Sequence, residues 1–194
     1  MTPAQGAEAL KANPDFKAVY GTLCETSTAV LFDVKGIAAE VAKTPAIFVV
    51  DAISGLAADR LEMDSWSVDV VVGGSQKALM CPPGLAFLAV SEKAWKVNAN
   101  AKCPRFYMDI ARYKKSLADW DTPFTSAIGL VLALRETVQK ITSDGVEKVW
   151  SRTAELADET RKMLSDLGLE FFTKHFANTL TAVKVPQGVD GKKL

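Results

Sequence analysis

Short apolar runs alternate with amphipathic stretches along this chain, the arrangement expected of an α/β protein. Residues 18–23, 47–50, 68–72 and 85–90 are brief and rich in Val, Ala, Phe and Leu, and each is predicted to be a strand. Residues 34–43 form an amphipathic stretch between the first two. The last run follows Pro82, Pro83 and Gly84, a turn signal with no room for a crossover helix, so residues 85–90 are expected to return antiparallel to the strand before them.

Farther along, Ile128, Val131, Leu132, Leu134 and Val138 recur at helical spacing, which predicts a helix over 126–141 with Thr125 or Ser126 as its N-cap. A second helix is expected over 146–167, closed by Gly168. Residues 179–185 alternate like a strand, and residues 98–122 read as loop. The best domain break falls near Gly145: 1–145 as one α/β unit, 146–194 as the start of another.

Three of the strand runs end in small or polar residues. The first ends at Cys24, Glu25, Thr26, Ser27 and Thr28, the second at Asp51, Ala52, Ile53, Ser54 and Gly55, and the third at Gly73, Gly74, Ser75, Gln76 and Lys77. In parallel sheets ligands collect beyond the carboxyl ends of the strands, so these clusters are expected to share one site.

Composition narrows the function classes. Lys plus Arg and Asp plus Glu both number 23, which leaves no electrostatic footprint for nucleic acid or an anionic membrane. No segment approaches the roughly 18 apolar residues of a membrane span. Cys24, Cys81 and Cys103 are too scattered for a disulfide framework or a zinc site, which fits a reducing, cytoplasmic setting.

The three clusters hold what a pyridoxal-phosphate (PLP) site needs: an amine to bind the cofactor, a carboxylate for its ring nitrogen, and hydroxyl or amide donors. Taken singly they are ordinary. A loop lysine is usually a solvated charge, a strand-end aspartate is often a cap, and two glycines can be a bulge. Neither nucleotide-binding glycine fingerprint occurs.

Order and wording together are more specific. Glu25-Thr26-Ser27-Thr28, then Val50-Asp51-Ala52-Ile53-Ser54-Gly55-Leu56, then Asp69 through Leu79 with the stretch GSQKALMCPPGLAF, resemble the class V, fold-type I aminotransferases of the serine–pyruvate and alanine–glyoxylate group. The resemblance runs from about Leu10 through Leu194. It implies a PLP-dependent transferase fold, a mainly parallel sheet flanked by helices. It also implies transamination between serine or alanine and pyruvate or glyoxylate.

By the same resemblance Lys77 binds the cofactor as a Schiff base and later moves the substrate's α-proton. Asp51 pairs with the pyridine nitrogen, Ile53 packs on the ring, Thr26 bonds near the phenolic oxygen, and Gln76 binds phosphate. Thr122 and Thr125 match positions that serve the phosphate of a partner subunit, so a homodimer is implied. Thr122 stands where an aromatic phenol is frequent, and Ala29 replaces a usual glycine. The resemblance further implies that the chain starts inside the large domain, after a glycine-rich phosphate loop and a stacking aromatic. It would then end early in the small domain, before the arginine that binds the substrate carboxylate.

Two other readings stand beside it: a non-catalytic dimerisation or interaction fragment, and a PLP-dependent lyase or desulfurase of the same fold. In the desulfurases a histidine usually precedes the lysine, and here Gln76 does. His175, the four tryptophans, Arg60, Arg105 and Arg112 are expected to be structural, the arginines in salt bridges.

Overall fold

Phe48 and Val50 are fully buried on β4 (Ile47–Asp51), and the sheet extends outward from them. In the computed structural model, which describes residues 1–193, β4 lies between β1 (Ala18–Thr22) and β5 (Val70–Gly74), parallel to both. β6 (Ala86–Val90) runs antiparallel to β5, so the strand order is β1-β4-β5-β6. The α/β class, the parallel centre and the antiparallel return agree with the sequence expectations.

One face of the sheet is closed by α2 (Val34–Val41), whose Val34, Ile37, Ala38 and Val41 form a buried stripe at helical spacing. They meet Phe48, Val50 and Val71 in a single core that also takes in Leu10. Gly21 is required beside it, because a Cβ there would stand 2.9 Å from Cε2 of Phe48. Leu10 comes from α1 (Pro3–Ala12), which begins with a capping box between Thr2 and Gln5 and has proline in its first turn.

The β5–β6 connection is stitched by Ser75, which is fully buried. Its hydroxyl donates to the Pro82 carbonyl at 2.7 Å and accepts from the Leu85 amide at 3.3 Å, while its own carbonyl accepts from the Cys81 amide at 3.1 Å. The loop that carries Lys77 is thereby closed at its base by a buried polar side chain.

Asp69 plays a similar part at the opposite end of the sheet. It is 5% exposed; one oxygen accepts from the Phe48 amide at 2.9 Å, and the other accepts from the Ser91 hydroxyl at 2.8 Å. Lys93 supplies the opposite charge at 3.4 Å, from α3 (Glu92–Ala99), which Ser91 caps. Asp69→Ala is expected to cost about 3 kcal/mol, because it strands a buried amide and a hydroxyl together. A urea midpoint unchanged from wild type would show that the bonds at Asp69 do not hold these strands.

Three local expectations are corrected. Residues 98–122 are not all loop: α3 ends at Ala99, and α4 (Ile110–Leu117) follows, capped by Asp109. α4 buries no residue: Ile110, Tyr113 and Leu117 recur at helical spacing along it, but Tyr113 and Leu117 stay exposed. The next helix, α5 (Ile128–Asp144), starts after Ala127 rather than at Thr125 or Ser126, with no side-chain cap. That start is exposed, and water can satisfy its free amides. Residues 179–185 form no strand but only an isolated bridge, Phe171 to Val183, because alternation marks a face without supplying a partner edge. The last helix, α6 (Val146–Asp166), matches its expected span, with Gly168 left-handed at φ 75° just beyond it. Arg60 and Arg105 do pair, with Glu62 and Asp109, whereas Arg112 lies over the Phe106 ring.

Candidate cofactor site

Parallel register sets Thr22, Asp51 and Val72 side by side, so β1 and β4 end flush and β5 runs two residues farther, to Gly74. The ladder continues one step past them: the Leu23 amide donates to the Asp51 carbonyl at 2.8 Å, and the Ala52 amide donates to that of Val72 at 2.9 Å. All three polar clusters therefore leave the sheet at one edge.

Beyond β1 the chain turns through a small hairpin, β2 (Cys24–Glu25) and β3 (Val30–Leu31), with Thr26 in its turn. The Glu25 carboxylate accepts from the Ser27 amide at 3.0 Å and the Ser27 hydroxyl at 2.8 Å. These bonds hold its carboxyl below the usual carboxylate range. Ala29 completes the turn at φ 59° and is fully buried. The family's usual glycine at this position is explained by that left-handed backbone.

Thr26 and Ser54 join their hydroxyls at 2.6 Å, which ties the hairpin to the loop after β4. In that loop one oxygen of Asp51 accepts from the Ile53 amide at 2.9 Å, and this fixes the plane of the carboxylate. Gly74 sits beneath: a Cβ there would be 3.3 Å from Oε1 of Gln76 and 3.5 Å from Cγ2 of Ile53. Any larger residue would fill the space between those two side chains. Lys77 is exposed on the same loop, and its charge is felt at Cys24, where it partly offsets the rise that burial imposes on the thiol. Among the described residues, neither Lys77 nor Asp51 has an ion-pair partner.

Five of the residues singled out in the sequence, Thr26, Asp51, Ile53, Gln76 and Lys77, thus stand at one sheet edge. Thr122 and Thr125 lie apart, exposed on the segment before α5, where the Thr122 hydroxyl donates to the Phe124 carbonyl at 2.6 Å. Two surface concavities, about 410 Å³ beside Phe106, Arg112 and Phe124 and about 220 Å³ beside Leu79, Ile141 and Trp150, include none of the seven. Ser54 and Ser75 were not singled out. A serine beside a strand-end aspartate or glycine was the available signal.

The Asp51 loop ends at Asp59, which is 1% exposed. Burial pushes its carboxyl above the ordinary value near 3.8, against the weaker pull of the Asn178 amide and the Arg161 charge. A raised folded-state pKa means that the folded chain binds the proton more tightly than the unfolded one. The contribution of Asp59 to stability is therefore complete below pH 3.8 and falls as pH rises through the window up to the raised value. The urea midpoint of wild type relative to Asp59→Asn is expected to drop across that window. A flat difference from pH 3.5 to 7 would contradict it.

The fold superposes on solved aminotransferases. With alanine–glyoxylate aminotransferase from Nostoc sp. the TM-score is 0.94 at 26% identity, covering 100% of this chain and 52% of that one. The architecture is that of the PLP-dependent aminotransferases. The family model described as aminotransferase class-V matches residues 4–193, and the chain belongs to that family. It is 34% identical over 189 residues to serine–glyoxylate aminotransferase of Hyphomicrobium methylovorum, covering 94% of this chain and 47% of that protein. It is also 39% identical over 181 residues to a protein of Synechococcus sp. named soluble hydrogenase, small subunit, covering 92% of this chain and 47% of that protein. The chain spans about half the length of the curated relatives it matches.

Proposed function

We propose that this chain supplies the cofactor-anchoring part of a PLP-dependent aminotransferase. The amino group would pass from a small amino acid, serine or alanine, to a 2-oxo acid, pyruvate or glyoxylate. The observation that carries the reading is the convergence of Thr26, Asp51, Gln76 and Lys77 on one sheet edge, with Lys77 and Asp51 free of ion pairs. The residues fit the cofactor: Gly74 leaves open the space between Ile53 and Gln76, the Asp51 carboxylate and the Lys77 amine have no ion-pair partner among the described residues, and a hydroxyl pair stands near them. Although one similar protein is named a hydrogenase subunit, an amine, a carboxylate and hydroxyls are the donor set of PLP chemistry.

PLP, when bound, supplies an electron sink for the bond broken at the substrate's α-carbon. The Lys77 amine would hold the cofactor covalently and, once freed, would serve as the base that holds and moves the substrate's α-proton. Asp51 would keep the pyridine nitrogen protonated, its carboxylate oriented by the bond from the Ile53 amide. Ile53 would pack on the ring, Thr26 would bond near its phenolic oxygen, and Gln76 would donate to the phosphate.

Thr122 and Thr125 of a second copy would complete the phosphate site. The exposed Ile128, Val131, Leu132 and Val138 of α5 are consistent with such a homodimer. We place the division between large and small domains at Gly145, where φ is 85° between α5 and α6. Three free thiols agree with a cytoplasmic setting. No helix among the described residues is long and apolar enough to cross a membrane. Gln76 before the lysine favours transamination over the lyase and desulfurase chemistry of the same fold.

Peptide mapping after incubation with PLP and borohydride reduction tests this. The pyridoxyl group is expected on Lys77. Its absence, or its spread over surface lysines, would leave the chain a non-catalytic interaction fragment.

A further inference from the structure

Asp59 is a carboxylate with half of its hydrogen-bonding capacity unused in a place where such a deficit is costly. Oδ1 accepts from the Asn178 amide at 2.9 Å, while Oδ2 is buried with no partner among the described residues. The nearby positive charge, Arg161 on α6, makes no direct ion pair with it. Its guanidinium bonds instead to Asp158 and to the Ala177 carbonyl, lies 4.8 Å over the Phe176 ring, and leaves its own buried Nε unpaired. An apolar residue of similar size would pack here at lower cost, so what the carboxylate contributes is the bond it makes to Asn178.

What it holds is residues 175–179, which come from the far end of the chain and lie along the hairpin that carries Thr26. The Leu31 amide donates to the His175 carbonyl at 2.9 Å, the Ala177 amide donates to that of Ala29 at 3.0 Å, and Val30 and Phe176 form an antiparallel bridge. Thr179 closes on Cys24 at 3.4 Å between hydroxyl and thiol. The hairpin is thus backed by a third extended segment, and Ala177 beneath it is fully buried. The same loop begins at Asp51 and Ile53, bonds Thr26 through Ser54, and ends at Asp59. The loop and the hairpin grip each other at one end through Ser54 and Thr26, and at the other through Asp59 and the segment that backs the hairpin.

We propose that Asp59 is a positioning residue for the cofactor site: by fastening Asn178, it seats residues 175–179 against the hairpin and so holds Thr26 and Ile53 at the spacing the cofactor ring requires. The inference rests on the reading of Lys77 as the cofactor lysine. Asp59 itself touches neither cofactor nor substrate and acts through the backbone. Its effect depends on an acceptor at Oδ1 rather than on charge, so Asn replaces it and Ala does not.

The test uses the whole chain and two readouts, the dissociation constant for PLP and amide hydrogen exchange at Leu31, Ala177 and Asn178. Asp59→Ala is expected to weaken PLP binding about tenfold, the worth of one lost buried hydrogen bond, and to speed exchange at all three amides. Asp59→Asn should restore both to within about threefold of wild type. Asn178→Pro removes the donor from the other side of the bond, and fixes the backbone there as well; it should weaken PLP at least as much as Asp59→Ala and speed exchange at Leu31 and Ala177, and it serves alone if Asp59→Ala does not fold. Wild-type PLP affinity in folded Asp59→Ala or Asn178→Pro overturns the inference, as does weak binding that Asn fails to restore. A wild-type chain that takes no PLP on Lys77 overturns the cofactor reading itself and this inference with it, and it is recognised before any variant is made.

Discussion

Lys77→Ala is expected to lose all covalently fixable cofactor while the chain keeps its fold. Lys77 is exposed and without an ion pair, and the contact it makes to the fold is a backbone one, its carbonyl accepting from the Met80 amide at 2.9 Å. Alanine preserves that bond, so stability should change by no more than about 0.5 kcal/mol. The chemistry has no such substitute, since hydroxyls and amides cannot form the link an amine forms. In the assembled enzyme, turnover should fall by about 10⁴-fold, because anchor and base vanish together. Circular dichroism and the mass of the borohydride-treated protein decide the matter. A label of wild-type stoichiometry in the mutant would place the cofactor on another lysine and sink the assignment of Lys77.

Asp51 separates two roles that a single alanine substitution would merge. One of its oxygens organises the loop through the Ile53 amide, and the negative charge would serve the pyridine nitrogen. Asp51→Asn retains an acceptor for Ile53 but cannot stabilise a protonated ring. It is expected to hold PLP within about tenfold of wild type while slowing amino-group transfer by about 10³-fold, the scale of one lost electrostatic partner at a reacting centre. Asp51→Ala should lose binding as well, by about 10²-fold, because loop and charge fail at once. Stopped-flow absorbance of the half-reaction with an amino donor, set beside equilibrium PLP titration, measures the two effects separately. An Asn variant that transfers at the wild-type rate would show that the carboxylate does not govern the ring nitrogen.

Both experiments address residues that could be found without coordinates. Asp51 and Lys77 each follow an apolar run, and each sits in a stretch of distinctive wording. The strands were legible for a related reason: a buried strand in a parallel sheet must be apolar on both faces and short, and β4 and β5 satisfy this almost residue for residue. Helix α6 was legible at both ends, since Gly145 and Gly168 both take positive φ. By contrast α4 carries Ile110, Tyr113 and Leu117 at helical spacing, but it is only eight residues long and buries nothing, so it stands out little from the loop around it. The N-cap expected at Thr125 or Ser126 failed because an exposed helix start needs no side chain to satisfy it.

Patterns along the chain determined the α/β class and the antiparallel return after Pro82-Pro83-Gly84, which depend on neighbours only a few residues away, whereas the cofactor candidates emerged from the order and wording of clusters spread over residues 25–79. Tertiary structure alone decided how these parts are held. Thr26 meets Ser54 across 28 positions, Asp69 meets the Phe48 amide across 21, and Asp59 reaches Asn178 across 119. No periodicity encodes such pairs. A buried carboxylate declares its partner only when folding has removed the water that would otherwise have satisfied it.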